Sequence, residues 1–311
     1  MTGSQMAVKV TDILQQILTD QARRTISGSD AVRRILEETR RQVIVELSTA
    51  PVDGFAAYQL PQVLTAINKH LAAFEAAAKK EATAGLTESW DAGEQMLPAM
   101  SRAAGIQLGN YGIPTSVLDH LKKFHWAKIY DVKESALSKI RGELTMGVLG
   151  QRTPHEITQA IAAMIENSKQ PAFESGRSIF QSITERAEVI TKTEMGRAFS
   201  MAAQASMETA ADTLPELQKM WLHAGHPKTS RQSHVTLNGQ IKPVKEPFLI
   251  GSVIMRYPRD PKGPLSEIIR CGCMHVPYIE AWGKKEEFLK SWEDAQEKAY
   301  KPKGPYKQKE A

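Results

Sequence analysis

Only two cysteines occur in 311 residues, aromatic side chains make up 6% of the chain, and long uncharged apolar runs are missing. Each shortage excludes something. Two cysteines cannot build a disulfide framework, so the sequence suits a reducing cytoplasm. No apolar run approaches the roughly 18 residues a membrane helix needs. The start, "MTGSQMAVKVTDILQQ", lacks a charged segment followed by an apolar core, so no secretory signal is expected. What remains is 41% hydrophobic and 24% charged residues, the balance of a soluble protein made inside a cell with a sizeable core. Abundant Ala, Gln, Glu and Lys tilt the expectation towards helix.

Punctuation along the chain organises that helix. Residues 1–50 read as helix; within them "SGSDAVRRILEETRRQVIVEL" offers Ser29 or Asp30 as an N-cap, followed by Val32, Ile35 and Leu36 at helical spacing. A second long helix carries Val63, Ile67, Leu71 and Phe74 on one face, with Gly85 as a point of bending. Pro98, Gly105, Gly109, Gly112 and Pro114 predict a break over 98–114. Ser116 followed by Asp119 resembles a capping box and opens a run to Gly150. Thr153-Pro154-His155-Glu156 is a fuller helix start, with Thr as cap, Pro in the first turn and Glu three residues on. A further helix is expected from about Ser178 through "ITERAEVITKTEMGRAFSMAAQASMETAADT".

After Trp221 the composition shifts to Gly, Pro, Ser and Thr. Asn238-Gly239 predicts a hairpin joining "HVTL" to "QIKPV", with Pro243 placing the second strand at an edge. "FLIGSVIMRY" is a further strand candidate. Phe288 and Trp292 at i, i+4 mark a last short helix. The expected fold is therefore mainly α, with a long helical N-terminal region and a small C-terminal α+β module. Four segments follow: helical 1–114, helical 115–215 leading into the module, α+β 216–282, and a short helix with a basic tail over 283–311.

The net charge of +5 is unevenly spread. Residues 219–270 hold nine Lys/Arg against three Asp/Glu, an excess of +6, which leaves −1 elsewhere. Such a stretch could contact phosphate, or it could simply keep a loop-rich surface solvated. No basic helix with interleaved aromatics appears, and Trp221 reads as a core anchor rather than a base-stacking platform.

"RCGCMHVPY" holds both cysteines, Cys271 and Cys273, with His275 two residues on. A disulfide across one residue would be strained. Three readings stay open. Cys271, Cys273 and His234 could bind zinc, with His275, His226 or His223 as a fourth ligand. The cysteines could instead be small buried apolar residues beside a buried Glu194, Arg231 and His234 network. Or Cys271, His234 and Glu194 could serve as nucleophile, base and orienting group. No phosphate loop, nucleophile elbow or His-Glu-x-x-His stretch is present.

Four pieces in order carry a resemblance. "RAEVITKTEMGRA" supplies Arg186, Thr193 and Glu194, and "KMWLHAGHPKTSRQSHVTLNGQ" supplies Trp221, Arg231, His234 and Gly239. "PFLIGSVIMRYPRDP" follows with Phe248, Pro258 and Asp260, and "RCGCMHVPY" closes the set. Together these resemble the phage head morphogenesis family, the phage Mu F-like minor head proteins, over about residues 135–280. The chain departs from the family pattern at Lys192, where Arg is usual before Thr-Glu, and at Gly272, where Arg commonly stands between the cysteines. The resemblance implies a non-enzymatic minor head protein of a tailed bacteriophage, present in the virion head and, during assembly, in the host cytoplasm. It implies the portal and head or scaffold proteins as partners and a role in head assembly or DNA delivery. An enzyme module acting on nucleic acid, with or without zinc, and a DNA-binding packaging accessory are the alternatives.

Overall fold

The protein is described by a computed structural model over residues 3–49, 60–109, 112–165, 182–224 and 230–300. It is mainly α-helical, with a long helical N-terminal region and a small C-terminal part containing a few antiparallel strands. Five helices come first: α1 (Gly3–Thr49), α2 (Leu60–Ala103), α3 (Ser116–Val148), α4 (Pro154–Ile165) and α5 (Ile183–Ala210). Then come β1 (Gln218–Leu222), the single turn α6 (Gln232–Val235), β2 (Ile241–Pro243), β3 (Phe248–Ile250) and β4 (Val253–Met255). The short α7 (Leu265–Ile268), β5 (Met274–Tyr278) and α8 (Lys285–Tyr300) complete the order.

By its internal contacts the chain divides into two units, neither continuous in sequence, whereas the four expected segments divide it consecutively. One unit comprises Met1–Ile26, Leu86–Leu118 and Met195–Ala311; the other comprises Ser27–Gly85 and Asp119–Glu194. In the second unit, Val32, Leu36, Ile67, Leu71 and Phe74 are buried with Ile129, Ile140, Ile157 and Ile161. Arg40 donates to the Ala162 carbonyl at 3.1 Å, tying α1 to the end of α4. The start of α4 is the expected capping box. The Thr153 backbone and hydroxyl both donate to Glu156, at 2.8 and 2.9 Å, while the Glu156 N–H returns to the Thr153 hydroxyl.

The first unit is built on Val10, Leu14 and Leu18 of α1, Met96 and Met100 of α2, and Phe199, Ala203 and Met207 of α5. Met220, Leu222 and Val276 of the strands and Phe288 and Trp292 of α8 complete its core. The helices α2 and α5 meet closely at Gly93, where a Cβ would lie 2.2 Å from the Phe199 carbonyl oxygen, so only glycine fits. A three-stranded antiparallel sheet runs in the order β2-β1-β5, with Met220 opposite both Ile241 and Val276. Strands β3 and β4 pair separately as a hairpin.

Several expectations are corrected. Helix α1 does not begin at Ser29 or Asp30 but runs unbroken through them. Ser29 is buried and Asp30 pairs with Arg33 one turn on, so both serve the helix interior rather than its cap. Pro98 does not end α2, which continues to Ala103. A proline inside a helix leaves the carbonyl four residues earlier without its usual N–H. Here that carbonyl, on Glu94, accepts from the Ser206 hydroxyl of α5 at 3.1 Å. "HVTL" is not a strand: His234 and Val235 lie in α6, and β2 pairs with β1 instead. Gly239 still makes the turn, with φ +74°, donating its N–H to the Trp221 carbonyl so that Gln240 can accept from Trp221. Pro243 sits on an edge strand as expected. "FLIGSVIMRY" is two strands rather than one, reversed at Gly251 with φ +61°. The expected helix start at Ser178 and the basic tail over 301–311 lie outside the described residues.

Candidate metal centre

The C-terminal strands and turns bring three donor atoms together. Cys271 Sγ lies 3.6 Å and Cys273 Sγ 3.5 Å from His234 Nδ1, and the three atoms all fall within 4.8 Å of one another. All three residues are buried. His234 is presented by α6, the two cysteines by the extended segment that enters β5. Gly272 between them faces Ala224, whose Cβ lies 2.8 Å from where a Cβ on residue 272 would stand. That close approach leaves little room for a side chain at position 272.

Two arms hold the cluster from behind. Glu267, on α7, places a carboxylate oxygen 2.7 Å from His234 Nε2. A carboxylate only accepts, so Nε2 carries the proton and Nδ1 is the nitrogen turned to the sulfurs. Arg231 adds a donor to the Ile269 carbonyl at 2.7 Å and reaches 4.0 Å from Glu267. From the other side, buried Arg259 donates to the Cys271 carbonyl at 2.6 Å and to the Ser200 hydroxyl at 3.3 Å. Its own carbonyl accepts from Arg197 at 3.2 Å. Arg259 holds φ +64° and Arg270 φ +59°, a conformation that costs non-glycine residues about 1–2 kcal/mol each. Asp260 secures this loop through a two-pronged pair with Arg256, at 2.7 and 2.8 Å, and through the Arg256 and Lys262 N–H groups.

The electrostatics follow from these contacts. The Cys271 thiol is held well below its ordinary value by the hydrogen bond from Cys273, against burial and with help from His234 and the Arg259 charge. Cys273 is pushed well up because it is the donor in that pair and is itself buried. For His234, burial works downwards but is outweighed by the bond to Cys271 and by Glu267, so its value rises. These directions favour the thiolate at Cys271 over Cys273.

The other expected residues fall as follows. Trp221, fully buried on β1, stands edge-on to His234 (centroids 5.8 Å apart) and to Phe248 (5.1 Å), as a core anchor. Asp260 is the loop anchor just described. The carboxylate beside His234 is Glu267, not Glu194. Glu194 and Thr193 are buried on α5 and count, with the half-buried Arg186, in the other unit. His275 does not join the donors: β5 sets it opposite Trp221 and stacks its ring on Tyr257 at 5.7 Å. Its two ring nitrogens are buried with no hydrogen-bond partner among the described residues, and burial, with the Lys219 and Arg259 charges, pushes its pKa well down. The His223 backbone is pinned by Asn238 and Trp292. His226 lies outside the described residues.

Glu267 and Arg259 were not anticipated. Glu267 had no local signal, since its partner His234 lies 33 residues away. Arg259 had none, because its role depends on Gly196 of α5, where a Cβ would fall 2.5 Å from the guanidinium carbon.

The basic stretch is less available than its count suggests. Lys219 and Arg259 are buried, and Arg256 is engaged by Asp260. Lys242 and Lys245 pair with Glu246 and Asp212. Among the described residues, no helix is long and apolar enough to cross a membrane.

Against known proteins, the chain is 29% identical over 175 residues to a Bacillus subtilis (strain 168) protein named "Uncharacterized protein YqbB", covering 54% of this chain and 52% of that protein. The chain thus spans about half the length of the curated relative it matches. No protein-family model matches the chain, and no solved structure does.

Proposed function

We propose that the chain is a minor head protein of a tailed bacteriophage, non-enzymatic, associated with the portal and acting in head assembly or DNA delivery. The observation that carries this reading is the ordered motif set from Arg186 to Cys273, whose resemblance is to the head morphogenesis family. Its later members, Trp221, Arg231, His234, Asp260, Cys271 and Cys273, fall in one small module of the first unit, where each has a definite packing or bonding role. A module held together in that way suits a protein whose work is to pack against other proteins. The long helices offer extended faces for such contacts, and head or scaffold proteins are the partners in view. The place of action is the virion head, reached by way of the host cytoplasm.

The test is a pull-down of tagged protein from phage-infected cells with co-purifying proteins identified by mass spectrometry. Portal or head proteins in near-stoichiometric amount are the expected result; recovery of no phage structural protein contradicts the proposal.

A second reading draws on the row Cys271, His234 and Glu267, which has the order of a nucleophile, a base and an orienting carboxylate. Under it the chain processes nucleic acid after delivery. Cys271→Ser would then abolish a nuclease or related activity while leaving head assembly intact. A DNA-packaging accessory remains the third: its contacts would come from the residual surface Lys and Arg of 219–270, and its affinity would fall steeply with salt.

A further inference from the structure

We propose that His234, Cys271 and Cys273 hold one zinc ion that fastens α6 and α7 to the start of β5. The proposal stands on geometry and does not depend on the minor head reading.

Zinc binds thiolate sulfur at about 2.3 Å and imidazole nitrogen at about 2.0–2.1 Å, in tetrahedral arrangement. Two such ligands on one ion are then separated by about 3.5 Å along the S···N edge, as follows from those bond lengths and the tetrahedral angle. The observed separations from His234 Nδ1 are 3.5 Å to Cys273 Sγ and 3.6 Å to Cys271 Sγ. Both edges of the triangle that include the nitrogen therefore have the length a shared ion demands. A single N–H on Nδ1 points at one sulfur, whereas near-equal distances to both are natural for ligands converging on one centre.

The surroundings hold these ligands in place. Metal-bound histidines commonly donate their other ring N–H to a carboxylate, which fixes the tautomer and the ring orientation. Glu267 does this at 2.7 Å on the nitrogen remote from the sulfurs. Arg259 holds the Cys271 backbone, and Trp221 closes the cluster on the apolar side. Glycine at 272 lets the two cysteines turn inwards against Ala224. Zinc takes both sulfurs as thiolates, so any thiol proton they still carry passes to solvent, and no oxidation is involved.

Sequence distance gives the ion its role. His234 and the cysteines are 37 and 39 residues apart, and the segment between them holds only three-residue strands and one helical turn. A small, loop-rich module gains most from such a clip.

The test uses the full-length chain. It is purified without chelator, its zinc measured by plasma mass spectrometry, and its thermal unfolding followed with and without stripping of the metal. The expected result is one zinc per chain, a lower melting temperature after stripping and its recovery when zinc alone is added back. Cobalt substitution should give the thiolate-to-cobalt charge-transfer band of a two-sulfur site. Cys273→Ser should reduce zinc to well below one per chain. If that variant fails to fold, Glu267→Gln serves instead: it leaves every ligand in place and should weaken zinc affinity by about 10–100-fold, the range seen when a ligand histidine loses its carboxylate partner. Zinc content near zero with a melting temperature indifferent to added zinc would overturn the proposal. So would full zinc content in Cys273→Ser, or a cobalt spectrum without the sulfur band.

Discussion

His234 Nε2 meets Glu267 Oε2 at 2.7 Å, and this contact decides which ring nitrogen faces the two cysteines. It is also the polar tie between α6 and α7. Removing the carboxylate leaves the buried imidazole N–H without its acceptor. Glu267→Ala should lower stability by about 1–3 kcal/mol, the cost of stranding a buried donor. Glu267→Gln keeps an acceptor and should cost less than half as much. Urea unfolding of the two variants measures the difference.

Gly196 and Arg259 make a second dependency. An alanine at 196 would put its Cβ 2.5 Å from the guanidinium carbon, which cannot swing away because Cys271 and Ser200 hold it in the interior. Gly196→Ala should therefore destabilise by about 1–3 kcal/mol, the usual range for overpacking. Gly142, in mid-α3, has nothing within 4 Å of a Cβ. Gly142→Ala should stabilise by about 0.5–1 kcal/mol through helix propensity alone. Opposite signs from one substitution type, read by thermal unfolding, check the packing argument.

Pro98 and Ser206 should be coupled. Ser206 serves the Glu94 carbonyl that Pro98 cannot serve. Ser206→Ala alone should cost about 1 kcal/mol, the net worth of one hydrogen bond. In a Pro98→Ala background the backbone N–H returns, so the same substitution should cost much less. A double-mutant cycle by denaturant unfolding gives the coupling energy.

His125 predicts acid sensitivity. Its ring is fully buried in α3 with neither nitrogen hydrogen-bonded among the described residues, and burial depresses its pKa from 6.5 to about 4. Above pH 6.5 the ring is neutral in both folded and unfolded chains and the group contributes nothing to pH dependence. As pH falls through 6.5 towards 4, the unfolded chain takes up the proton first, so stability declines across that window. The full loss approaches about 3 kcal/mol, at about 1.4 kcal/mol per pKa unit. His125→Leu should flatten the stability profile between pH 6.5 and 4, measured by unfolding at a series of pH values.

Legibility in the sequence tracked the range of the interactions involved. The α4 capping box was readable because Thr153 and Glu156 lie three residues apart and decide the start between them. Phe288 and Trp292 were readable by helical spacing, and both are buried on α8. The strands β1 and β5 were not. Every residue of β5 is buried, so no alternation marks it, and Pro277 argues against a strand until its place on an edge is known. Pro98 misled because its compensation comes from Ser206, more than a hundred residues away. At the site, the donors His234, Cys271 and Cys273 stood out by residue type. Their supports did not: Glu194 and Glu267 are equivalent on paper, and only folding brings Glu267 to His234.

The proposal that this chain is a minor head protein is tested most directly by quantitative mass spectrometry of purified heads. The account predicts the chain in a few copies per particle, retained in heads that contain the portal. Abundant protein in the infected-cell lysate, with none in the purified heads, would contradict it.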